Sequence, residues 1–403
     1  MEMIQILLSI VFPVVGYFVG SINPGYFFGK MNGIDIREEG RKNAGTSNTY
    51  DLLGLKYAVP TAFYDVFKGL IVIFIATLAG TPQFFALLSG IMAIVGHVFP
   101  FYMNFKGGQG VAAATGMLLF YIVAYLSLNI TLLYFLIYEI ILVGIFLYIS
   151  RHGTLLALIV IPPFGYFIWV TYPGNPFNVF LWIILAQIVS INIYNVIHRK
   201  TIHITDENFL GHKWRVIMRP LSIIFVVFYV IYSKSSALLF IGSVALVFIL
   251  LDIIRFLHKQ TNVVLHEKAK ALFRKNEFQR FSSMTIFLVA FFITILVFPP
   301  EIAIAASIFL IFGDTFGKIF GLAFGKHKIF DKTVEGTLAF YGCMMICGYV
   351  LYTLLNISPW ILIVGGLSAP IIELFSRGLN DNITVPLFSG AIMYVVYFLI
   401  TGI

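Results

Sequence analysis

The sequence predicts an all-α polytopic membrane protein with about fourteen transmembrane helices, arranged in two seven-helix halves. Of its 403 residues, 60% are hydrophobic and only 11% are charged, whereas soluble domains carry about 25% charged residues. The mean hydropathy is +0.96. Apolar stretches of the roughly 20 residues that a membrane helix needs recur from one end of the chain to the other. These observations exclude a soluble globular protein.

Apolar runs bounded by turn residues predict the individual spans. In the first half the predicted spans are 4–28, 58–80, 83–104, 111–130, 132–149, 154–172 and 177–197. In the second half they are 218–232, 237–254, 283–298, 300–317, 338–355, 359–375 and 385–402. The polar segment 198–220 separates the two sets, so we predict two domains, 1–205 and 206–403.

The distribution of basic residues predicts the orientation of the chain. Lysine and arginine are retained on the cytoplasmic side of membrane proteins. If the N-terminus is outside, only Lys234 of the 26 basic residues falls clearly outside. Both termini then lie outside a cytoplasmic membrane that the chain crosses many times, and the polar loops face the cytoplasm. The net charge of +8 follows from this orientation, so we expect the lipid bilayer, and no nucleic acid, as a partner.

A glycine-rich loop between the third and fourth predicted spans indicates phosphate binding. Glycines let backbone N–H groups approach a ligand closely, and Lys106 adds a positive charge. The helix predicted to begin near Val111 would place its N-terminus beside the loop, where anions are favoured. The alternative is a simple turn between helices, which would need the glycines but not the lysine. The glycines of this loop are Gly107, Gly108 and Gly110.

The first half carries a series of short motifs in a definite order. They are Gly20-Ser21 with Gly25, Asp35-x-Arg37-x-x-Gly40, Asn43-x-Gly45-x-x-Asn48, Asp65-x-x-Lys68-Gly69, Gly96-His97-x-Phe99-Pro100, Phe105-Lys106-Gly107-Gly108 and His198. Over about residues 5–205 this half resembles the bacterial acyl-phosphate:glycerol-3-phosphate acyltransferase family, integral seven-span enzymes of phosphatidic acid synthesis. The resemblance implies that glycerol-3-phosphate attacks an acyl phosphate, which gives lysophosphatidate and free phosphate, with no cofactor.

The same resemblance implies which residues serve the reaction. Those that we expect to bind the phosphorylated substrate are Arg37, Asn43, Gly45, Asn48, His97, Lys106, Gly107, Gly108 and Gly110. The residues that we expect to be catalytic in this half are His198 and Arg41.

Three positions depart from the family pattern. Arg41 stands where the family has a serine, Gln109 replaces a second lysine, and Thr201 replaces the asparagine of the third motif. An arginine clamps phosphate by charge and paired hydrogen bonds, but it cannot replace a serine that positions a reacting carbonyl. Two interpretations therefore stay open: a rearranged active site, or a half that has lost catalysis and only binds a substrate or partner.

Charged residues of the second half cluster on the predicted inner side. Acidic residues near the ends of spans are functional-site candidates. Carboxylates supply the oxygen ligands that Mg²⁺ prefers, and lysines neutralise phosphates. The expected metal ligands are Asp314, Glu335, Glu373 and Asp381, and the expected phosphate-binding lysines are Lys318, Lys326 and Lys332. Glycines at every fourth position from 313 to 325 indicate close helix packing.

Over roughly residues 240–400, the second half resembles the superfamily of CTP-dependent dolichol, phytol and diacylglycerol kinases. The matching elements are Arg274-x-x-Glu277, Gly313-Asp314 with Gly321 and Gly325, Lys332-Thr333-x-Glu335-Gly336, and Glu373 with Asp381-Asn382-x-Thr384-x-Pro386. The resemblance implies Mg²⁺ as cofactor, CTP as phosphoryl donor and a lipid alcohol as acceptor. Asp314 would be catalytic, and Arg274 would bind phosphate. Phosphatidate cytidylyltransferase, which shares a Lys-Thr-x-Glu-Gly element, is the competing family.

Three hypotheses follow for the whole chain. The first is a bifunctional enzyme with acyltransferase and lipid kinase activities. The second is a lipid kinase whose first half no longer catalyses acyl transfer. The third is a transporter, suggested by the composition and by the opposite orientation that an odd number of spans gives to the two halves. Transport leaves both sets of motifs unexplained.

Overall fold

The computed structural model describes residues 2–202, 204, 216, 219–268, 277–376 and 379–402. It divides into two compact units. The first consists of Met1–Ile141 and Gly153–Thr201, and the second consists of Leu142–His152 and Ile202–Ile403.

Nine α-helices are described as far as residue 198. They are α1 (Glu2–Ser21), α2 (Pro24–Met31), α3 (Thr46–Leu53), α4 (Leu55–Leu78), α5 (Gln83–Val98), α6 (Val111–Leu126), α7 (Thr131–Ser150), α8 (Gly153–Thr171) and α9 (Asn178–His198), with a short 3-10 helix at Phe101–Met103.

Beyond residue 202, the described residues form a further set of helices and a small hairpin. They are a 3-10 helix at Arg219–Ser222, α10 (Ile223–Ile231), α11 (Lys234–Leu257), α12 (Lys259–Lys268), α13 (Ser283–Val297), α14 (Pro300–Ile308), a π-helix at Phe309–Gly313, α15 (Asp314–Phe324), β1 (Lys328–Ile329), β2 (Lys332–Thr333), α16 (Val334–Leu355), α17 (Pro359–Phe375) and α18 (Asp381–Thr401). The strands pair antiparallel.

The helices confirm the predicted fold class. Within the described residues, ten helical segments are long and apolar enough to cross a membrane. Four shorter apolar helices, at 111–126, 219–231, 283–297 and 359–375, fall where the remaining spans are predicted. The chain is therefore an integral, multi-pass, all-α membrane protein, with about fourteen spans.

Some elements differ from the prediction. The first predicted span is divided into α1 and α2, because Pro24 occupies the first turn of a new helix, where its missing N–H is no loss. Helix α3 lies in a predicted loop, as does α12. Helix α15 continues past the predicted boundary at residue 317, because Lys318 forms an ion pair with Asp314 one turn earlier.

In the first unit, small residues let α1 and α5 approach each other closely. A Cβ atom added at Gly20 would lie 2.1 Å from the carbonyl oxygen of Ala93, and one at Gly96 would lie 2.1 Å from that of Tyr17. Packing by small residues is the usual way in which membrane helices associate. This contact fixes the end of α5, where His97 lies.

In the second unit, the glycines of α15 pack against α16, as the packing interpretation predicts. A Cβ atom at Gly313 would overlap the ring of Phe340, and one at Gly321 would lie 3.0 Å from Thr333 Oγ1. The π-helical turn immediately before Asp314 is a rare feature that often marks functional sites. Asp314 is thus presented by a helix that is held rigidly on its glycine face.

Candidate functional sites

In the first unit, the glycine-rich loop folds back onto the end of α5. The N–H of Gly107 donates to Val98 O at 3.0 Å, and that of Gly108 donates to His97 O at 3.1 Å. A Cβ atom at Gly108 would lie 2.0 Å from His97 Nε2. Both N–H groups are therefore used inside the protein. The glycines are required for close packing on His97, which differs from the predicted presentation of free N–H groups to a ligand.

The other parts of the loop keep the features expected of a phosphate site. Gly110 has a φ of +77°, a left-handed conformation that favours glycine, and it immediately precedes the first residue of α6. The N-terminus of α6 thus begins at the loop, and such termini attract anions. The side chain of Lys106 is exposed beside it.

The buried side chains of Asp65, Lys68 and His97 contact one another near the glycine-rich loop. Lys68 Nζ lies 2.9 Å from Asp65 Oδ1 and 2.5 Å from His97 Nδ1, and it also donates to Gly20 O at 3.1 Å. All three side chains are at most 2% exposed. A charge pair this deeply buried is stable only when its hydrogen bonds are satisfied. Thr46 completes the set by donating to Asp65 Oδ2 at 3.3 Å.

The contacts of Lys68 and Asp65 orient the ring of His97. Nδ1 of His97 lies 2.5 Å from Lys68 Nζ and 3.3 Å from Asp65 Oδ1, so it accepts from the ammonium group or, when it carries the ring proton, donates to the carboxylate. The other ring nitrogen, Nε2, faces Gly108. His97 thus places a ring nitrogen at the glycine-rich loop.

The segment between α2 and α3 is organised by Asn48. Its side chain is fully buried and donates to the carbonyl oxygens of Ile36, Glu39 and Asn43, while it accepts the N–H of Arg41. Four backbone groups thus depend on one amide. A neighbouring turn is closed by Asn43, which accepts the N–H of Gly45, the residue that caps α3.

Asp35 and Arg37 form a paired, charge-assisted contact. Arg37 donates from Nε to Asp35 Oδ1 at 2.9 Å and from Nη2 to Oδ2 at 2.7 Å. Its remaining terminal nitrogen donates to Met103 O at 2.9 Å, which ties this segment to the glycine-rich loop. The hydrogen bond from Arg37 lowers the pKa of Asp35 to about 2, and the same bond raises the pKa of Arg37. The pair therefore stays ionised at neutral pH.

In the second unit, three carboxylates come together. Ligand oxygens of Asp314, Glu373 and Asp381 lie within 4.8 Å of one another. Lys332 bridges two of them, at 2.5 Å from Glu373 Oε1 and 2.9 Å from Asp381 Oδ2. Asp314 is fully buried, and its Oδ1 has no hydrogen-bond partner within the described residues. Three of the four predicted metal ligands are thus brought together.

Cations balance these carboxylates. Lys318 donates to Asp314 Oδ2 at 2.8 Å, and Arg219 forms an ion pair with the same oxygen. Burial lowers the pKa of Lys332, but the attraction of Glu373, Asp381 and Asp314 outweighs it, so the pKa of Lys332 is raised overall. Lys332 is therefore a permanent cation of the site.

The remaining predicted residues of this half are Glu335, Lys326 and Arg274. Glu335 accepts the N–H groups of Lys326 and His327 and contacts His327 Nδ1 at 2.7 Å, so it holds the β1–β2 hairpin and does not join the three carboxylates. The side chain of Lys326 is exposed. Arg274 lies outside the described residues.

Comparisons with known proteins find relatives of the first half. The family model described as glycerol-3-phosphate acyltransferase matches residues 10–205. A glycerol-3-phosphate acyltransferase of Streptococcus pyogenes serotype M5 is 31% identical over 183 residues, which are 45% of this chain and 84% of the relative. The chain belongs to the glycerol-3-phosphate acyltransferase family.

Two further proteins are similar to this chain in sequence. The glycerol-3-phosphate acyltransferase of Desulfotalea psychrophila is 39% identical over 117 residues, which are 28% of this chain, and the chain spans only 59% of that relative. The crystal structure of PlsY, an integral membrane glycerol 3-phosphate acyltransferase, in its glycerol 3-phosphate form is 28% identical, with a TM-score of 0.38 over 48% of this chain and 93% of that one.

The positions that depart from the acyltransferase family pattern have partners of their own. Gln109 exchanges hydrogen bonds with Asn195 of α9, at 2.9 Å and 3.0 Å, and this amide pair ties the glycine-rich loop to α9. Arg41 pairs with Asp51 at 2.5 Å, and its side chain is 39% exposed. Thr201, which lies just beyond the end of α9, donates its N–H to the carbonyl oxygen of Val196 within that helix at 3.2 Å.

His198, predicted to be catalytic in the acyltransferase half, is exposed at the end of α9. Its ring stacks on Tyr194 at 3.8 Å between centroids, and Nδ1 lies 3.0 Å from Tyr194 O. Both contacts are local to one turn of the helix. A catalytic role of His198 stays a prediction.

Two groups of residues were missed as site residues. Asp65 and Lys68 stood in a family motif, but nothing in their spacing shows that His97, 29 residues further on, completes the cluster. Arg219 lies in the polar segment that was interpreted as a boundary. The one available indication is that Arg219 is a basic residue next to the end of a span, and many basic residues predicted on the inner side share this feature.

Proposed function

We propose that the first unit transfers an acyl group from acyl phosphate to glycerol-3-phosphate and releases lysophosphatidate. The observation that carries this proposal is the position of His97. One ring nitrogen contacts the buried Lys68 and Asp65, and the other faces Gly108 in the glycine-rich loop. A histidine nitrogen, an exposed Lys106 and the N-terminus of α6 meet at one loop, which suits a phosphate group.

The residues of this site bind and orient the two substrates, and the proton passes directly from one substrate to the other. The glycerol hydroxyl attacks the carbonyl carbon of the acyl phosphate, and the bond from that carbon to the phosphate oxygen breaks. The phosphate group, which carries two negative charges in the acyl phosphate, takes the hydroxyl proton on the oxygen that leaves the carbonyl carbon and departs as the hydrogen phosphate dianion. No side chain has to act as a base in this scheme. Catalysis then rests on positioning and on hydrogen bonds to developing charge.

Product formation tests the proposal directly. Purified protein in lipid is supplied with acyl phosphate and labelled glycerol-3-phosphate, and lysophosphatidate is measured. Lys106→Ala should raise KM for glycerol-3-phosphate about ten-fold, because one charge-assisted contact is lost. Lys56→Ala, an exposed lysine at the start of α4, is the matched control. If correctly folded wild-type protein gives no product, the first half has lost catalysis.

We infer that the second unit transfers a phosphoryl group from a nucleoside triphosphate to a membrane alcohol. The three clustered carboxylates beside Lys318 and Lys332 favour this reaction. The donor set fits Mg²⁺, since Asp314, Glu373 and Asp381 offer hard oxygen atoms and Asp314 Oδ1 is buried without a partner among the described residues. When bound, Mg²⁺ would neutralise phosphate charge.

The chain's own residues have assigned roles in this second reaction. Lys318 and Lys332 would hold the phosphates, and the lipid alcohol would approach from the membrane. CTP as donor follows only from the resemblance of the second half to the lipid kinases, as does the choice of kinase over phosphatidate cytidylyltransferase. Asp314→Asn should abolish Mg²⁺-dependent transfer from labelled CTP to lipid, whereas Asp331→Asn, at an exposed position, should not. Near-normal transfer by Asp314→Asn would refute the metal assignment.

Both sites are proposed to face the cytoplasm. Support comes from the basic residues, since Lys106 and Lys318 fall on the same side of the membrane as nearly all the others in the predicted topology. Phosphorylated water-soluble substrates are made in that compartment, and an inner-leaflet site gives both reactions access to them.

A further inference from the structure

Arg219 contacts two residues of the second unit's carboxylate cluster. It forms an ion pair with Asp314 Oδ2, and its Nη2 donates to Asn382 Oδ1 at 2.6 Å. Its side chain is only 15% exposed. Arg219 belongs to neither half's set of motifs, because it lies in the segment that connects them.

The formal charges of the cluster sum to zero. Three carboxylates, of Asp314, Glu373 and Asp381, face three cations. A divalent cation would leave the cluster with a charge of +2, which the phosphates of a nucleotide would compensate. The arrangement is therefore complementary to a cation and a phosphate together, and not to either one alone.

A divalent cation at Asp314 Oδ1, which has no partner among the described residues, would repel the guanidinium of Arg219 from the same carboxylate. The guanidinium already occupies Oδ2, the oxygen that also contacts Lys318. If the arginine releases this oxygen, it stays near the site, because Asn382 holds its other terminal nitrogen. A guanidinium released in this way presents a planar fork of donors, which matches the geometry of phosphate.

We propose that Arg219 is a phosphate-binding residue of the second site, which leaves Asp314 when a divalent cation binds there and then holds the phosphate of the substrate. The proposal rests on the proposed phosphoryl transfer by the second unit. It assigns to the connecting segment a direct part in substrate binding. Arg219 thereby couples the arrival of the cation to that of the phosphate.

The test measures two affinities on the purified full chain in nanodiscs. Mn²⁺ binding is followed by electron paramagnetic resonance, and binding of inorganic triphosphate at excess Mg²⁺ is followed by calorimetry. Both use a Lys106→Ala background, which weakens phosphate binding by the first unit. Arg219→Gln should tighten Mn²⁺ binding several-fold, because a repelling charge is removed, and should weaken triphosphate binding about ten-fold.

A purely structural arginine would give a different pattern. Its loss would weaken both affinities together, or neither, and either outcome overturns the proposal. Lys328→Gln, which removes an exposed cation from β1, is the charge-matched control and should change neither affinity. If Arg219→Gln does not fold, Arg219→Lys decides, since a lysine lacks the planar fork. Unchanged triphosphate affinity in Arg219→Lys would refute the proposed role.

Failure of the underlying function would look different. Asp314→Asn should abolish Mn²⁺ binding to the cluster. If Mn²⁺ binding is the same in wild type and in Asp314→Asn, the carboxylates are not a metal site, and the phosphoryl-transfer proposal fails. If Asp314→Asn abolishes binding while Arg219→Gln leaves both affinities unchanged, only the role of Arg219 is refuted.

Discussion

The sequence correctly predicts that position 108 requires a glycine, but the structure gives a different physical reason for this requirement. The sequence indicates a glycine that lets its N–H reach a ligand, whereas the structure uses that N–H within the protein and places the Cα against the ring of His97. The ring position depends on a contact between α5 and the loop that follows it. No local pattern contains that contact.

Replacement of Gly108 by alanine should abolish most of the acyltransferase activity. The new Cβ atom would lie 2.0 Å from His97 Nε2, so the ring or the loop must move. A displacement of about 1 Å in a positioned group costs roughly 100-fold in rate. Gly153→Ala is the control, since its added Cβ meets nothing within 4 Å. We would measure lysophosphatidate formation alongside thermal unfolding. Equal rates in both variants would show that His97 does not act in the reaction.

At the scale of elements, the segment between α2 and α3 is an example of side chains that build a loop. The sequence predicts that Asn48 binds substrate, but its side-chain amide forms hydrogen bonds with four backbone groups of its own loop. The pattern Asn-x-Gly-x-x-Asn therefore has a structural explanation. The side chains of Arg41 and Lys42, in the same segment, are exposed.

The Asp35–Arg37 pair should make the stability of this segment pH-dependent. The pKa of Asp35 is about 2 in the folded protein, below the ordinary value of 3.8. The stabilisation is therefore complete above the ordinary value and is lost as the pH falls through about 2. Asp35→Asn should lower the free energy of unfolding by about 2 kcal/mol near neutral pH.

Thermal unfolding of wild type and Asp35→Asn, measured at about pH 6 and at about pH 3, checks this sign. The difference between the two proteins should shrink at the lower pH. Glu38→Gln, at an exposed neighbouring position, should show no such convergence. A difference that grows on acidification would contradict the lowered pKa.

A second element-scale feature joins α11 to α13. Asp252, near the end of α11, accepts from the N–H of Ser282 and the hydroxyl of Thr285 at the start of α13. It also pairs with Arg255 at 2.8 Å, and that arginine donates to the carbonyl oxygens of Glu277 and Arg280. Both charged side chains are fully buried. The pair holds the connection between two spans.

Asp252→Ala should destabilise the protein strongly. Removal of the Asp252 carboxylate deletes the buried ion pair with Arg255 and the acceptor of Ser282 and Thr285, which costs about 3–5 kcal/mol. Asp331→Ala, at an exposed position of the hairpin, is the control and should change stability little. Chemical unfolding in detergent gives the difference. A small effect of Asp252→Ala would mean that water reaches the arginine.

At the scale of the whole molecule, the arrangement of spans follows from composition. In the part of the chain that the structure describes, fourteen apolar helical segments lie where they are predicted, because backbone hydrogen bonds in a membrane must be satisfied within each segment. The structure divides the chain into two compact units. One consists of residues 1–141 and 153–201, and the other consists of residues 142–152 and 202–403. The assignment of a separate activity to each half stays a prediction.

The predicted orientation can be checked by cysteine labelling. In a background without Cys343 and Cys347, a cysteine at Lys328 should react with an impermeant reagent only from the cytoplasmic side. A cysteine at Lys234 should react only from outside. Both positions lie at the ends of described elements. Labelling of the two from the same side would overturn the topology and the cytoplasmic placement of both sites.

Sequence alone was sufficient for the class of protein, the spans, and the family of the first half. These properties depend on the local chemistry of the chain: apolar length, turn residues, and motifs in a fixed order. Membership in the acyltransferase family is confirmed by the relative that is 31% identical over 84% of its length, together with the family model that matches residues 10–205. The three acidic residues of the second site were also named from their types and positions.

The tertiary structure determined which distant residues contact each other. Lys68 with His97, Gln109 with Asn195, and Arg219 with Asp314 are separated by 29, 86 and 95 positions along the chain. Such pairs depend on how helices pack, since a helical periodicity specifies which face is buried but not which distant helix covers it. For that reason the cluster of Asp65, Lys68 and His97 and the contact of Arg219 with the carboxylate cluster could not be predicted from the sequence.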